Sequence, residues 1–98
     1  MKYFVIEGIL KNSVPMDENL MNEHIAYSQK AIDAGVILVS GVKADMSGGM
    51  LIMKAEFLEK VEAYLSAEPL KVSGVQEYRV TEFTPHYVQP IASEWFKN

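Results

Sequence analysis

Apolar residues crowd the first stretch of the chain at Tyr3, Phe4, Val5, Ile6 and Ile9, before a break at Asn12-Ser13-Val14-Pro15. A run that short, rich in β-branched and aromatic side chains, predicts a strand over Lys2–Ile9. Its apolar positions fall on both faces, the pattern of a central strand covered on two sides. From about Pro15 to Ala34 the period becomes helical. With Leu20 at the origin and a step of about 100° per residue, Leu20, Met21, His24, Ile25, Tyr27, Ser28, Ala31, Ile32 and Ala34 fill one arc. Glu18, Asn19, Asn22, Glu23, Gln29, Lys30 and Asp33 fill the opposite arc. Asp17 breaks this division and reads as a cap or first-turn residue, where a carboxylate meets unpaired N–H groups. Gly35 is the natural stop.

Val36–Lys43 and Met50–Phe57 read as a second and a third strand, joined by Ala44-Asp45-Met46-Ser47-Gly48-Gly49. A loop so short and glycine-containing predicts an antiparallel hairpin. Leu58, Val61 and Leu65 then recur at helical spacing until Pro69 ends the helix at or before Glu68. Beyond Gly74, Val75–Phe83 reads as a fourth strand. The order β-α-β-β-α-β predicts a ferredoxin-like α+β domain over residues 1–83 with a four-stranded antiparallel sheet. Residues 84–98, with two prolines and Ile91-Ala92-Ser93-Glu94-Trp95-Phe96, form a tail with room for one helical turn. Its Trp95-Phe96 pair is costly to leave in water, so the tail should dock on the protomer or on a partner. Helices on one face of an open sheet leave apolar residues of the other face bare, and a second copy of the chain is the economical cover.

Composition narrows the function. At 98 residues and 49% hydrophobic the chain suffices for one core. Nine basic against thirteen acidic residues give a net charge of −4, which argues against a nucleic-acid partner. The third strand, Met50-Leu51-Ile52-Met53-Lys54-Ala55-Glu56-Phe57, also lacks the basic and aromatic signature of an RNA-reading sheet. The absence of cysteine removes disulfides and thiolate metal sites. The longest apolar run, Val36–Val39, is far below the roughly 20 residues of a membrane span, and the N-terminal apolar stretch is too short for a signal peptide. The expectation is a cytoplasmic protein with no membrane partner.

Several segments, in this order and spacing, resemble the YciI-related (YCII) family of dimeric α+β barrels. They are the Tyr3-Phe4-Val5-Ile6 opening strand, His24 midway in the first helix, Gly35-Val36-Ile37-Leu38-Val39-Ser40-Gly41, the glycine-led Gly49-Met50-Leu51-Ile52, the Glu68-Pro69 pair and Ser73-Gly74-Val75. The resemblance covers roughly residues 2–83. It implies a homodimer whose two sheets close into a barrel, with larger rings open. It also implies a pocket containing His24 and the acidic residue beside the proline, Glu68. The sequence departs from the family pattern twice: Glu68-Pro69-Leu70 stands where Asp-Pro-aromatic is more usual, and Val42 stands where many members have proline. A few family members resemble dehydrochlorinases or lactone isomerases of aromatic breakdown.

Two functions of different class follow. One is a cofactor-independent enzyme, a proton-transfer lyase or isomerase of a small aromatic or lactone-like molecule, with His24 as general acid/base and Glu68 orienting it. The other is a ligand-binding or assembly domain in which His24 is a buried, hydrogen-bonded histidine and Glu68 a turn residue. An oxygenase barrel of the same architecture stays open at this point. Candidate ligand contacts are Ser40, Tyr3 at the start of the central strand, Tyr27 near His24 on the helical arc, and Asp45 in the hairpin loop. Tyr64 and Tyr78 are weighed as core-edge residues. No nucleophile elbow surrounds Ser40, and no phosphate-loop lysine follows Gly48-Gly49. His24 and His86 lack ligand spacing, so neither a metal nor another cofactor is expected.

Overall fold

The computed structural model describes residues 1–11 and 15–97; Asn12, Ser13 and Val14, where the sequence predicts a break, lie outside the described residues. Strand β1 (Lys2–Leu10) is followed by helix α1 (Glu18–Asp33), strands β2 (Ile37–Val42) and β3 (Gly49–Ala55), helices α2 (Leu58–Ser66) and α3 (Pro69–Val72), and strand β4 (Gln76–Phe83). The strands form one antiparallel sheet in the order β2-β3-β1-β4. The predicted central position of β1 follows from this order.

The helix boundaries have local causes. Asp17 is extended (φ −88°, ψ 173°) and its carboxylate accepts the Leu20 backbone N–H at 2.8 Å, making it the N-cap of α1. Gly35 ends the helix at φ +78°, a backbone state that costs a glycine little. The short helix α3 is not foreseen by the period. Pro69 starts it at the first helical position, where a missing N–H is harmless, and Glu68 caps it.

One face of the sheet meets the helices. Phe4 and Ile6 of β1, Ile37 of β2 and Met53 and Ala55 of β3 pack with Ala31 of α1 and with Val61 and Leu65 of α2 into a single core. Val61 and Leu65 are one helical turn apart, so α2 buries a narrow stripe. Helix α1 buries less than its apolar arc suggests: Ala31 is in the core, while Ile25 is 54% exposed.

In β2 the register slips by one residue. Ile37 faces Met53, whereas Val39 faces Ile52, leaving Leu38 as an extra residue. Ile37 therefore enters the core while Val39, two residues on, emerges on the far face.

On that far face the C-terminal tail covers one end of the sheet. The Tyr3 hydroxyl donates to the Phe96 carbonyl at 2.6 Å, and the indole N–H of Trp95 donates to the Gly35 carbonyl at 2.7 Å. Lys54, opposite Tyr3 in the sheet, donates to the Trp95 carbonyl at 2.7 Å and sits 4.6 Å from its ring centroid, which offsets the burial of the ammonium. Short 3₁₀ turns at Pro90–Ala92 and Trp95–Lys97 shape the tail. Val5, Val39, Met50 and Ile52 line an open apolar depression on this face. Among the described residues, no helix is long and apolar enough to cross a membrane.

Candidate active site

The helical period of α1 turns His24 toward the sheet, leaving its side chain 28% exposed. Glu68 arrives from the other side. Its place before Pro69 keeps its backbone extended (φ −69°, ψ 130°) and directs the carboxylate back over the start of α3. One oxygen, Oε2, accepts the backbone N–H groups of Leu70 at 2.9 Å and Lys71 at 3.3 Å. The other, Oε1, lies 2.5 Å from His24 Nδ1. An ionised carboxylate can only accept, so Nδ1 carries the hydrogen and Nε2 is the ring nitrogen left for the cavity. The extra methylene of Glu68 relative to aspartate thus does not prevent the contact.

The pair continues into a longer chain of hydrogen bonds. The Tyr78 hydroxyl donates to Glu68 Oε2 at 2.7 Å, the Gln76 amide donates to the Tyr78 oxygen at 2.8 Å, and the Gly49 N–H donates to Gln76 Oε1 at 3.3 Å. This chain ties α1, α3 and β4 to the β2–β3 hairpin. Two glycines make room for it. A Cβ on Gly8 would sit 2.6 Å from the Gln76 side chain, and one on Gly48 (φ +153°) would sit 1.9 Å from the Gly8 carbonyl oxygen.

Electrostatics favour the ionised form of Glu68 here. Burial pushes the Glu68 carboxyl up, but the hydrogen bonds from His24 and Tyr78, the nearby imidazole and the Leu70 N–H outweigh it, and the group titrates below the ordinary carboxylate range. Burial raises the Tyr78 phenol, and the Glu68 carboxylate raises it further. Tyr64 is pushed up to about 12 by burial, by Tyr27 and by Glu68. Both phenols stay protonated at neutral pH.

Beside this network lies a cavity of about 220 Å³, walled by His24, Ser28, Ser40, Tyr64, Glu68, Gln76 and Tyr78 among apolar side chains. Four of the six methionines, Met16, Met21, Met46 and Met50, also line it. The structure therefore brings His24, Glu68 and Ser40 to one cavity. It places the other three candidates elsewhere. Tyr3 points to the opposite face of the sheet, against Trp95 and Phe96. Tyr27 stacks on Tyr64 with centroids 4.8 Å apart and donates to the Tyr64 carbonyl at 2.6 Å. Asp45 accepts the Ser47 N–H at 3.0 Å and hydroxyl at 2.6 Å, closing its own turn. The tyrosines of the cavity are instead Tyr64 and Tyr78. Tyr78 alternates with Gln76 on one face of β4, the only sequence signal that could have paired them.

Among the described residues, no group of three or more histidine, aspartate or glutamate side chains suits a metal ion. The arrangement can take a proton from a ligand at Nε2 and return it, with Glu68 holding the ring in place.

The YCII-related domain model matches residues 1–84. The 5-chloro-2-hydroxyhydroquinone dehydrochlorinase TftG from Burkholderia phenoliruptrix AC1100, solved with 2,5-dihydroxybenzoquinone, superposes with a TM-score of 0.64 at 21% identity, over 84% of this chain and 93% of its own. Muconolactone isomerase superposes with a TM-score of 0.74 at 16% identity, over 90% of this chain and 94% of its own. These likenesses establish the fold, an α+β domain of βαββαβ order with a four-stranded antiparallel sheet. No match to a curated protein sequence is found.

Proposed function

The chain belongs to the YCII-related domain family, and from that premise we propose that it is a cofactor-independent enzyme moving a proton on a small aromatic or lactone-like molecule, as a lyase or isomerase. His24 is the general acid/base through Nε2, and Glu68 is its orienting carboxylate. The observation that carries this reading is the 2.5 Å contact between Glu68 Oε1 and His24 Nδ1 at the wall of an apolar cavity. A charged acceptor on Nδ1 fixes the tautomer and stabilises the imidazolium that forms when Nε2 takes a proton. The reactions named for TftG and muconolactone isomerase are of the kind such a pair would serve.

We also propose that the working form is a cytoplasmic homodimer, with the open apolar depression around Val5, Val39, Met50 and Ile52 covered by a second copy.

The test is turnover of small ring phenols and lactones, beginning with 5-chloro-2-hydroxyhydroquinone and muconolactone. His24→Gln should lower kcat by about 10²–10⁴-fold and Glu68→Gln by about 10–100-fold, with folding intact by circular dichroism. Wild-type rates retained by His24→Gln would remove the acid/base assignment. A second reading, a non-catalytic ligand-binding domain, is favoured by the capping of α3 by Glu68, which gives the carboxylate a structural duty without chemistry. NMR titration separates the two: a His24 ring that changes protonation when ligand binds supports catalysis, and one that stays neutral throughout supports binding alone.

A further inference from the structure

Gln76 carries no charge, yet it decides which way the hydrogens of the buried chain point. It lies on β4 and is 4% exposed. The Gly49 nitrogen can only donate, so the amide atom facing it at 3.3 Å is the oxygen, and the amide nitrogen then faces Tyr78 at 2.8 Å. With its oxygen accepting from that nitrogen, the Tyr78 hydroxyl turns its own hydrogen to Glu68 Oε2 at 2.7 Å. A flipped amide would set two donors against each other at Gly49 and offer Tyr78 a competing acceptor. Glu68 would then lose one of its donors.

Strand β1 makes the space for this amide. Gly8 lies opposite Tyr78, two residues beyond the buried Ile6 and on the same face. The end of the Gln76 side chain rests on it: a Cβ there would sit 2.6 Å from Cδ and from Oε1, and 2.9 Å from Nε2. The sheet order places β1 between β3 and β4. Gln76 therefore reaches from β4 across the central strand to the hairpin, over a position that has no side chain.

We propose that Gln76 is a positioning residue for the His24–Glu68 pair: oriented by the Gly49 N–H and seated on Gly8, its amide keeps the Tyr78 hydrogen on Glu68. The hairpin backbone thereby acts on the imidazole through three side chains in series. This deepens the reading of His24 and Glu68 as the acid/base pair and rests on it. The titratable groups around Glu68 are His24 and Tyr27 of α1, Tyr64 of α2 and Tyr78 of β4, and no lysine or arginine lines the cavity. A hydroxyl that accepts from an amide is a stronger donor in its turn. Weakening that donation leaves more negative charge on Glu68 for the imidazolium, so the His24 ring should keep its proton to higher pH.

NMR titration of the His24 ring in the full chain, without ligand, tests the assignment; His86 is the only other histidine, and His86→Gln identifies its signal. Gln76→Met keeps the length of the side chain and removes its polar end. Gln76→Glu offers the Tyr78 hydrogen a second carboxylate. Gly8→Ala leaves Gln76 in the sequence and displaces only the flexible end of its side chain, so folding is preserved. Each should raise the half-titration point by roughly half a pH unit, about threefold in the acid constant. In a Tyr78→Phe background Gln76→Met should add nothing, because the amide acts only through the phenol. A purely structural amide would lower the unfolding midpoint and leave the ring titration in place. An unmoved ring in Gln76→Met and Gly8→Ala, a downward shift, or an undiminished effect in Tyr78→Phe would overturn the proposal. Turnover separates it from the reading beneath it: wild-type rates in His24→Gln remove the acid/base role, whereas an unmoved ring removes only the role of Gln76. With both in force, Gln76→Met lowers kcat about 3–10-fold with KM nearly unchanged.

Discussion

Tyr78 donates its hydroxyl to Glu68 at 2.7 Å, on the carboxylate whose other oxygen meets His24. The phenol therefore acts on the imidazole only through Glu68, as a positioning residue. Tyr78→Phe leaves the Gln76 amide without its acceptor and Glu68 with one donor fewer. The expected cost is about 1–2 kcal/mol in urea unfolding. Turnover should fall severalfold through kcat with KM nearly unchanged, and the acid limb of the pH–rate profile should move.

The lowered titration of Glu68 has a consequence for stability. Its folded-state value lies below the ordinary 4.5, so the fold favours the ionised form. The stability this confers is present in full above the ordinary value and is lost as pH falls through the lowered one. Unfolding midpoints of wild type and Glu68→Gln should differ by a constant amount above about pH 5 and converge below about pH 4. His24, Tyr78 and Tyr64 face the same carboxylate, so the comparison should be repeated in His24→Gln, where the gap should be smaller. A gap that widened on acidification would contradict the assigned direction.

Gly48 cannot accept a side chain. It combines φ +153° with a site where a Cβ would lie 1.9 Å from the Gly8 oxygen, and backbone rather than a flexible side chain would have to yield. Gly48→Ala should cost about 2 kcal/mol or more, or about 10 °C in Tm for a domain of this size. Gly41, with open space at its Cβ position, is the control and should tolerate alanine with a far smaller change.

The open sheet face offers a direct measurement of assembly. Val39 is 53% exposed and pairs with Ile52 across β2 and β3. Light scattering of the wild type should give twice the 11.0 kDa chain mass. Val39→Asp with Ile52→Asp should give the single chain, because unpaired carboxylates cannot be buried against a second apolar face. A wild-type monomer would remove the homodimer proposal.

The order of elements was readable because each signal is local. Asp17 before a helical period, Gly35 after it and a glycine loop between apolar runs need no knowledge of the tertiary structure. His24 and Glu68 were readable as candidates for the same reason: one lies on an apolar arc and the other precedes a proline. The choice among tyrosines was not readable. Tyr3 and Phe4 point to opposite faces of β1, both faces are apolar, and nothing within the strand says which one the helices cover. Tyr27 lies on the same arc as His24, yet α1 sinks only its Ala31 side into the core and leaves Tyr27 beside α2. The methionines carry no periodic signature of a cavity because they come from α1, β3, the hairpin loop and the segment before α1. Their convergence is a property of the fold.

The additional residue at Leu38 decides which side of the sheet each later residue of β2 serves. With it, Ser40 stands opposite Leu51 and Val39 opposite Ile52. In a regular strand of the same residues, Val39 would share the face of Ile37 and Ser40 would take the opposite one. One bulged residue thus divides a single short strand between the cavity side of the sheet and its bare apolar side, and a deletion variant lacking Leu38 would keep that division with an unbroken ladder.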